Sequence, residues 1–184
     1  MSEVLRRSAL ALALALVVGS GLASCGFHAR QGLGPEVASL GIAVFANDSL
    51  EPDLERPLQA ELTRAARRMV DVRLLRPSAA DARLEGRILE YRTRGGVRGS
   101  DNRLLERGVA IRVEAVLVDA SGDVLAGPVQ LSQTSGFTSR ETGGLQDAEE
   151  RVLGNLAEGL LLELLVDLEA DRARTPVPGA ADAP

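Results

Sequence analysis

The chain has 184 residues, a net charge of −5, no lysine and one cysteine, Cys25. A lone cysteine excludes an internal disulfide, and with His28 as the only histidine it excludes a zinc site built from Cys and His ligands. The acidic balance and the scarcity of rings (Phe27, Phe45, Tyr91 and Phe137 are all there are) argue against a nucleic-acid binder, which needs a basic face and often stacking aromatics.

In chain order, Arg6 and Arg7 form a short basic segment, and Ser8 to Val18 is an unbroken apolar run, SALALALALVV. Gly19, Ser20 and Gly21 then loosen the chain. This order predicts a secretory leader whose apolar part is too short for a permanent membrane span. Leu22-Ala23-Ser24-Cys25 resembles the bacterial lipobox, in which the cysteine becomes the acylated first residue of the mature chain. The resemblance implies loss of residues 1–24 and a covalent lipid anchor on Cys25, with no other cofactor. Each buried acyl methylene adds ~0.8 kcal/mol of membrane affinity. Glycine at position 26, where an aspartate marks inner-membrane retention, implies export to the outer membrane. A Cys25–His28 nucleophile pair is the competing chemistry, but so close to an N-terminus it would lack a rigid scaffold.

Removal of the leader leaves 160 residues, enough for one domain, carrying 19 arginines against 25 acids. Residues 25–38 read as a lipidated tether. Residues 39–170 read as the folded domain, and residues 171–184, rich in proline and alanine, as a disordered tail. Leu40, Ile42 and Val44 alternate as a strand, followed by turn residues Ala46 to Ser49. Asp53 is the expected N-cap of a helix whose apolar face is Leu54, Leu58, Leu62, Ala65 and Met69. Val70, Val72 and Leu74 predict a second strand. Leu84, Gly86 and Ile88 begin a third, and the parity switch at Leu89 and Tyr91 predicts a bulge. Glycines 95, 96 and 99 mark a long flexible connection.

Val109, Ile111, Val113, Ala115 and Leu117 alternate against Arg112 and Glu114. The turn Asp119 to Asp123 leads to Val129, Leu131 and Phe137, which share one parity, so an antiparallel hairpin with a polar outer face is expected. Leu145, Ala148, Val152, Leu156, Leu160, Leu164 and Leu168 predict a long final helix over about 145–169. The resulting expectation is an α+β two-layer sandwich, with two helices packed on one face of a four- to five-stranded, mostly antiparallel sheet. Its other face, with Arg112, Glu114, Gln130, Ser132 and Thr134, is left to solvent or a partner.

No base, nucleophile and orienting group can be assembled from these residues, so no enzyme is expected. One cluster stands out: Arg92, Arg94, Arg98, Arg103 and Arg107 surround the glycine-rich connection. Arginine's planar fork suits phosphate, so Arg94, Arg98, Arg103 and Arg107 are candidate contacts for an anionic lipid. Solvated arginines paired with Glu90, Asp101 and Glu106 are the plainer alternative.

Cys25-Gly26-Phe27-His28 behind the lipobox, "IAVFANDSLEPDLE" from Ile42 and "ADARLEGRILEY" from Ala80 together resemble the LptE family, over nearly all of residues 25–170. The resemblance implies a non-enzymatic lipoprotein on the periplasmic side of the outer membrane. Such a protein plugs and helps assemble the β-barrel of an LptD-type partner and binds lipopolysaccharide on its way to the cell surface. Leu105-Glu106-Arg107-Gly108 departs from the family's usual tyrosine-containing segment before the hairpin. "IAVFANDS" also resembles the start of lipoprotein domains that regulate cell-wall synthases or assemble secretion complexes, a second reading from another class.

Overall fold

The computed structural model describes residues 31–96, 100, 106–138 and 143–174. The expected leader, Cys25, Arg98, Arg103 and most of the expected tail lie outside the described residues. The elements run β1 (Ser39–Ile42), β2 (Ala46–Asn47), α1 (Glu55–Met69), β3 (Arg73–Leu75), β4 (Ala82–Gly95), β5 (Glu106–Asp119), β6 (Val124–Thr138) and α2 (Gly144–Arg174). The six strands form one sheet in the order β3-β1-β4-β5-β6, with β2 also on β4.

The α+β two-layer class holds, and the sheet is larger and more mixed than the pattern suggests. β1 pairs in parallel with both β3 and β4, and β2 pairs in parallel with β4, while the long β4–β5 and β5–β6 ladders are antiparallel. The β1–β3 pair is parallel because α1 is a crossover connection that returns the chain beside β1 in the same direction, and the short Pro77–Ala79 connection then carries it to the other side of β1 as β4. β1 is thereby buried inside the sheet, and all four of its residues are buried.

Local chemistry explains the elements. The expected bulge is present: the β4–β5 register shifts between Ile88 and Glu90. Leu84 and Ile88 face the core before it and Tyr91 partly so after it, which is the parity change seen in the sequence. α1 buries Leu58, Leu62, Ala65 and Ala66 and turns its arginines outward. Its start differs from expectation. Asp53 has φ +62, so this residue serves the left-handed turn before the helix, which aspartate tolerates. Leu54 is the N-cap, without a side-chain hydrogen bond.

α2 lies over β5 and β6 and packs on α1. Its predicted stripe is buried from Ala148 to Leu168, whereas Leu145 is exposed. Neither helix is long and apolar enough to cross a membrane, among the described residues. The core is a single cluster between the helix pair and one sheet face, centred on Leu58, Leu62, Ile111, Val113, Leu156 and Leu160.

Both ends differ from the expected boundaries. Residues 31–38 are docked on the body: Gln31 bridges Val70, and Leu33 is only 3% exposed. At the other end α2 continues to Arg174, so residues 171–174 are helical. The continuation is held in place because the Arg172 guanidinium donates to the Leu33 carbonyl.

Candidate functional site

Three parts of the fold present surfaces on which a function can be read. Among the described residues no three His, Cys, Asp or Glu side chains stand together as a metal site.

The first part is the end where the chain enters. The Gln31 N–H donates to the Met69 carbonyl at 3.0 Å, and the Asp71 N–H donates to the Gln31 carbonyl at 3.0 Å. The chain then lies along a mainly apolar groove of about 460 Å³, lined by Leu33, Val37, Val124, Leu125 and Leu168. Next to it, the Asp81 carboxylate accepts from the Ser39 hydroxyl at 2.7 Å and from the Ala38 N–H at 3.1 Å. The Asp81 N–H returns a bond to the Ser39 oxygen at 3.0 Å. This clasp joins the starts of β1 and β4, and it leaves Ser39, itself only 2% exposed, fully partnered. The Ser39 hydroxyl, together with two backbone N–H groups, holds the Asp81 carboxyl below its usual range. Cys25 is six residues before Gln31, a reach of at most ~20 Å.

The second part is the uncovered sheet face. Cross-strand register sets Arg87 opposite Glu114, and Arg112 opposite Glu90. Arg87 Nε lies 3.0 Å from Glu114 Oε1, and Arg87 Nη1 lies 3.7 Å from Asp48 Oδ2. Arg112 Nη2 lies 3.3 Å from Glu90 Oε2, and Arg92 also pairs with Glu90. The Gln130 amide donates to Glu114 Oε2 at 2.7 Å. That amide first, and Arg87 second, hold the Glu114 carboxyl below its ordinary value. Each exposed pair contributes only ~0–1 kcal/mol, so the lattice adds little stability. It makes the face wettable and nearly neutral, with charges that already satisfy one another.

The third part is the distal end of the β4–β5 hairpin, opposite the chain entry. The register pairs Arg94 with Gly108 and Arg107 with Gly95. Successive strand residues point to opposite faces, so Arg94 projects on the uncovered face and Arg107 on the helix side. The Arg107 guanidinium carbon lies 6.0 Å from the centre of the Phe137 ring. Arg107 lines a shallow cleft of about 570 Å³ with Phe137, Thr138 and the first residues of α2, Leu145 among them. Nearby the Tyr91 hydroxyl donates to Glu149 on α2. Burial, and then that acidic partner, push the Tyr91 phenol above its normal value.

The four candidate arginines therefore do not form one cluster on one surface. Arg94 and Arg107 are split between faces, and Arg98 and Arg103 lie outside the described residues. The Ser39–Asp81 clasp and the Tyr91–Glu149 bond were not singled out from sequence. Each joins residues more than 40 positions apart, and neither leaves a local pattern.

The family model for LptE, described as lipopolysaccharide-assembly, matches residues 37–167. No curated protein matches the chain. Among solved structures, one protein of Xanthomonas campestris is similar at 16% identity with a TM-score of 0.50, over 79% of this chain and 95% of that one. Rare lipoprotein B from Shewanella oneidensis is similar at 12% identity and a TM-score of 0.47, over 73% and 98%. PelC from Paraburkholderia phytofirmans, solved as a dodecamer, is similar at 23% identity and a TM-score of 0.44, over 73% and 94%. At such identities the likeness concerns the fold alone. The family match runs from just before β1 through most of α2, and on that ground the chain belongs to the LptE lipopolysaccharide-assembly family.

Proposed function

We propose that this protein is an outer-membrane lipoprotein, acylated at Cys25, that fills and helps assemble an LptD-type β-barrel and binds lipopolysaccharide during its delivery. Membership of the LptE family supports the general role in lipopolysaccharide assembly. One observation of this fold carries the finer reading: one face of the sheet is left uncovered by helices and is tiled with matched charges, from Arg87–Glu114 to Arg112–Glu90. The lumen of a membrane barrel is polar, and a body with such a face can lie in it without stranding charges, whereas an apolar face could not.

The anchor and the arginine hairpin fall at opposite ends of the sheet in this reading. The lipid holds the entry end at the inner leaflet; Arg94 and Arg107, at the far end of the β4–β5 hairpin, are candidate contacts for phosphorylated lipid, as Arg98 and Arg103 are from the sequence. The role is one of binding and assembly, not catalysis. The test is extraction of the native chain in detergent, followed by identification of what co-purifies and mass analysis of the N-terminal peptide. A barrel partner and an acylated Cys25 are expected. A stable native chain with an unmodified thiol and no barrel would overturn the reading.

A further inference from the structure

The edge strands of the sheet are β3, the two-residue β2, which pairs with β4 alone, and β6. β3 is three residues long and is followed by Arg76 and Pro77, which blunt it. β6 is fifteen residues long, and from Val129 to Thr138 it carries no charge. That stretch holds none of the charges or prolines that usually stop strands from pairing.

Its hydrogen-bonding direction can be read from two contacts. The Gly96 N–H donates to the Glu106 carbonyl at 2.9 Å, so even-numbered residues of β5 face β4 and odd-numbered ones face β6. Through the pairs Val109 with Ser135 and Val113 with Leu131, the odd residues of β6 are those bonded to β5. Gln130, Ser132, Thr134 and Gly136 then turn their backbone groups away from the sheet. The Gly136 carbonyl agrees, since it accepts from Arg151 of α2 at 3.0 Å, beyond the ladder.

That arginine closes one end of the edge. Gly127 and Pro128 close the other, where the register slips between Ala115–Val129 and Leu117–Ala126. What remains open is Val129 to Ser135, with the backbones of Gln130, Ser132 and Thr134 turned outward and, among the described residues, unbonded.

We propose that this window is a homophilic interface, pairing antiparallel with the same window of a second copy about a two-fold axis through Ser132. In that register Gln130 faces Thr134 of the second copy, Ser132 faces its own equivalent, and Thr134 faces Gln130. All three outward residues exchange both backbone bonds, about six in total. Serine, threonine and glutamine side chains meet across the junction, a favourable set, and no like charges are opposed. A second copy is the partner favoured by the chemistry. A charge-free strand is one of the few that can pair with itself without repulsion. A closed barrel wall has no unpaired backbone to offer.

The chain, separated from any barrel partner, is examined by sedimentation in density-matched detergent at protomer concentrations of ~10–100 µM, with thermal melts as a folding control. A dimer is expected. Ser132→Pro removes an outward N–H that β5 does not use and should weaken the dimer at least about tenfold. Gln130→Lys with Thr134→Lys sets lysine against lysine twice and should do the same, whereas Gln130→Lys with Thr134→Glu sets opposite charges together and should restore it. The two charge-bearing pairs change only exposed side chains, so they decide the matter if the proline variant fails to fold. A monomeric parent at ~100 µM, or a dimer indifferent to these substitutions, overturns the proposal. So does a monomeric parent whose Ser132→Pro variant loses the barrel, which would assign the edge to that partner.

Discussion

Gly86 offers the sharpest test of the packing. It sits in β4 between the core residues Leu84 and Ile88, where a side chain would be expected to add to the core. A Cβ built there would lie 2.4 Å from Cε2 of Phe45 and 2.2 Å from the Glu114 carbonyl oxygen. Normal contacts are ~3.5–4.0 Å, so both neighbours would have to retreat by more than about 1 Å. Phe45 is 2% exposed and has no room to do so, and the Glu114 carbonyl belongs to the β5 backbone. Overpacking of this kind typically costs ~1–3 kcal/mol, and two blocked neighbours put Gly86→Ala at the upper end, ~3 kcal/mol. For a domain of this size that lowers Tm by ~6–12 °C. Phe45→Ala by itself should cost ~3–5 kcal/mol. In that background Gly86→Ala should cost less than alone, because the ring is gone, but more than nothing, because the carbonyl stays. Thermal and denaturant unfolding of the four proteins complete the cycle. A Gly86→Ala protein within ~0.5 kcal/mol of the parent would refute the argument, and an equal cost in both backgrounds would clear Phe45 of the clash.

Leu160→Ala, at a fully buried position of α2, should cost ~2–5 kcal/mol, while Leu162→Ala, 55% exposed two residues on, should stay within ~0.5 kcal/mol; equal losses would mean the helix is rotated from its described face. The depressed carboxyl of Asp81 stabilises the fold where it is ionised, and that contribution is lost as pH falls through its folded pKa. Melts between about pH 2 and pH 6 should therefore show a shallower acid slope for Asp81→Asn, not a flat one, because Glu114 and Asp119 are depressed in the same sense. An unchanged slope would remove the clasp from the acid response. Arg98→Ala with Arg103→Ala should weaken binding of phosphorylated lipid A and leave Tm unchanged; undiminished binding at low salt would take these two arginines out of lipid recognition.

Much of the architecture is legible in local periodicity. The alternation from Val109 to Leu117, the stripe from Ala148 to Leu168 and the parity switch at Leu89 each encode which side of an element meets apolar neighbours, and all three match the burial. That information is carried by residues two to four apart, where strand and helix geometry repeat. What the tertiary structure alone decided is everything that joins distant segments. The pattern of β1 says strand, but only the path of α1 makes it a parallel inner strand flanked by β3 and β4. Gly86 reads as a weak point in a strand until the Phe45 ring is seen against it. Arg94 and Arg107 look like members of one basic cluster, and the register sends them to opposite faces. Composition and spacing determine which residues seek the core or the solvent. Which surface a polar residue reaches is settled by how the chain closes on itself, because hydrogen-bond register between remote strands has no counterpart along the sequence.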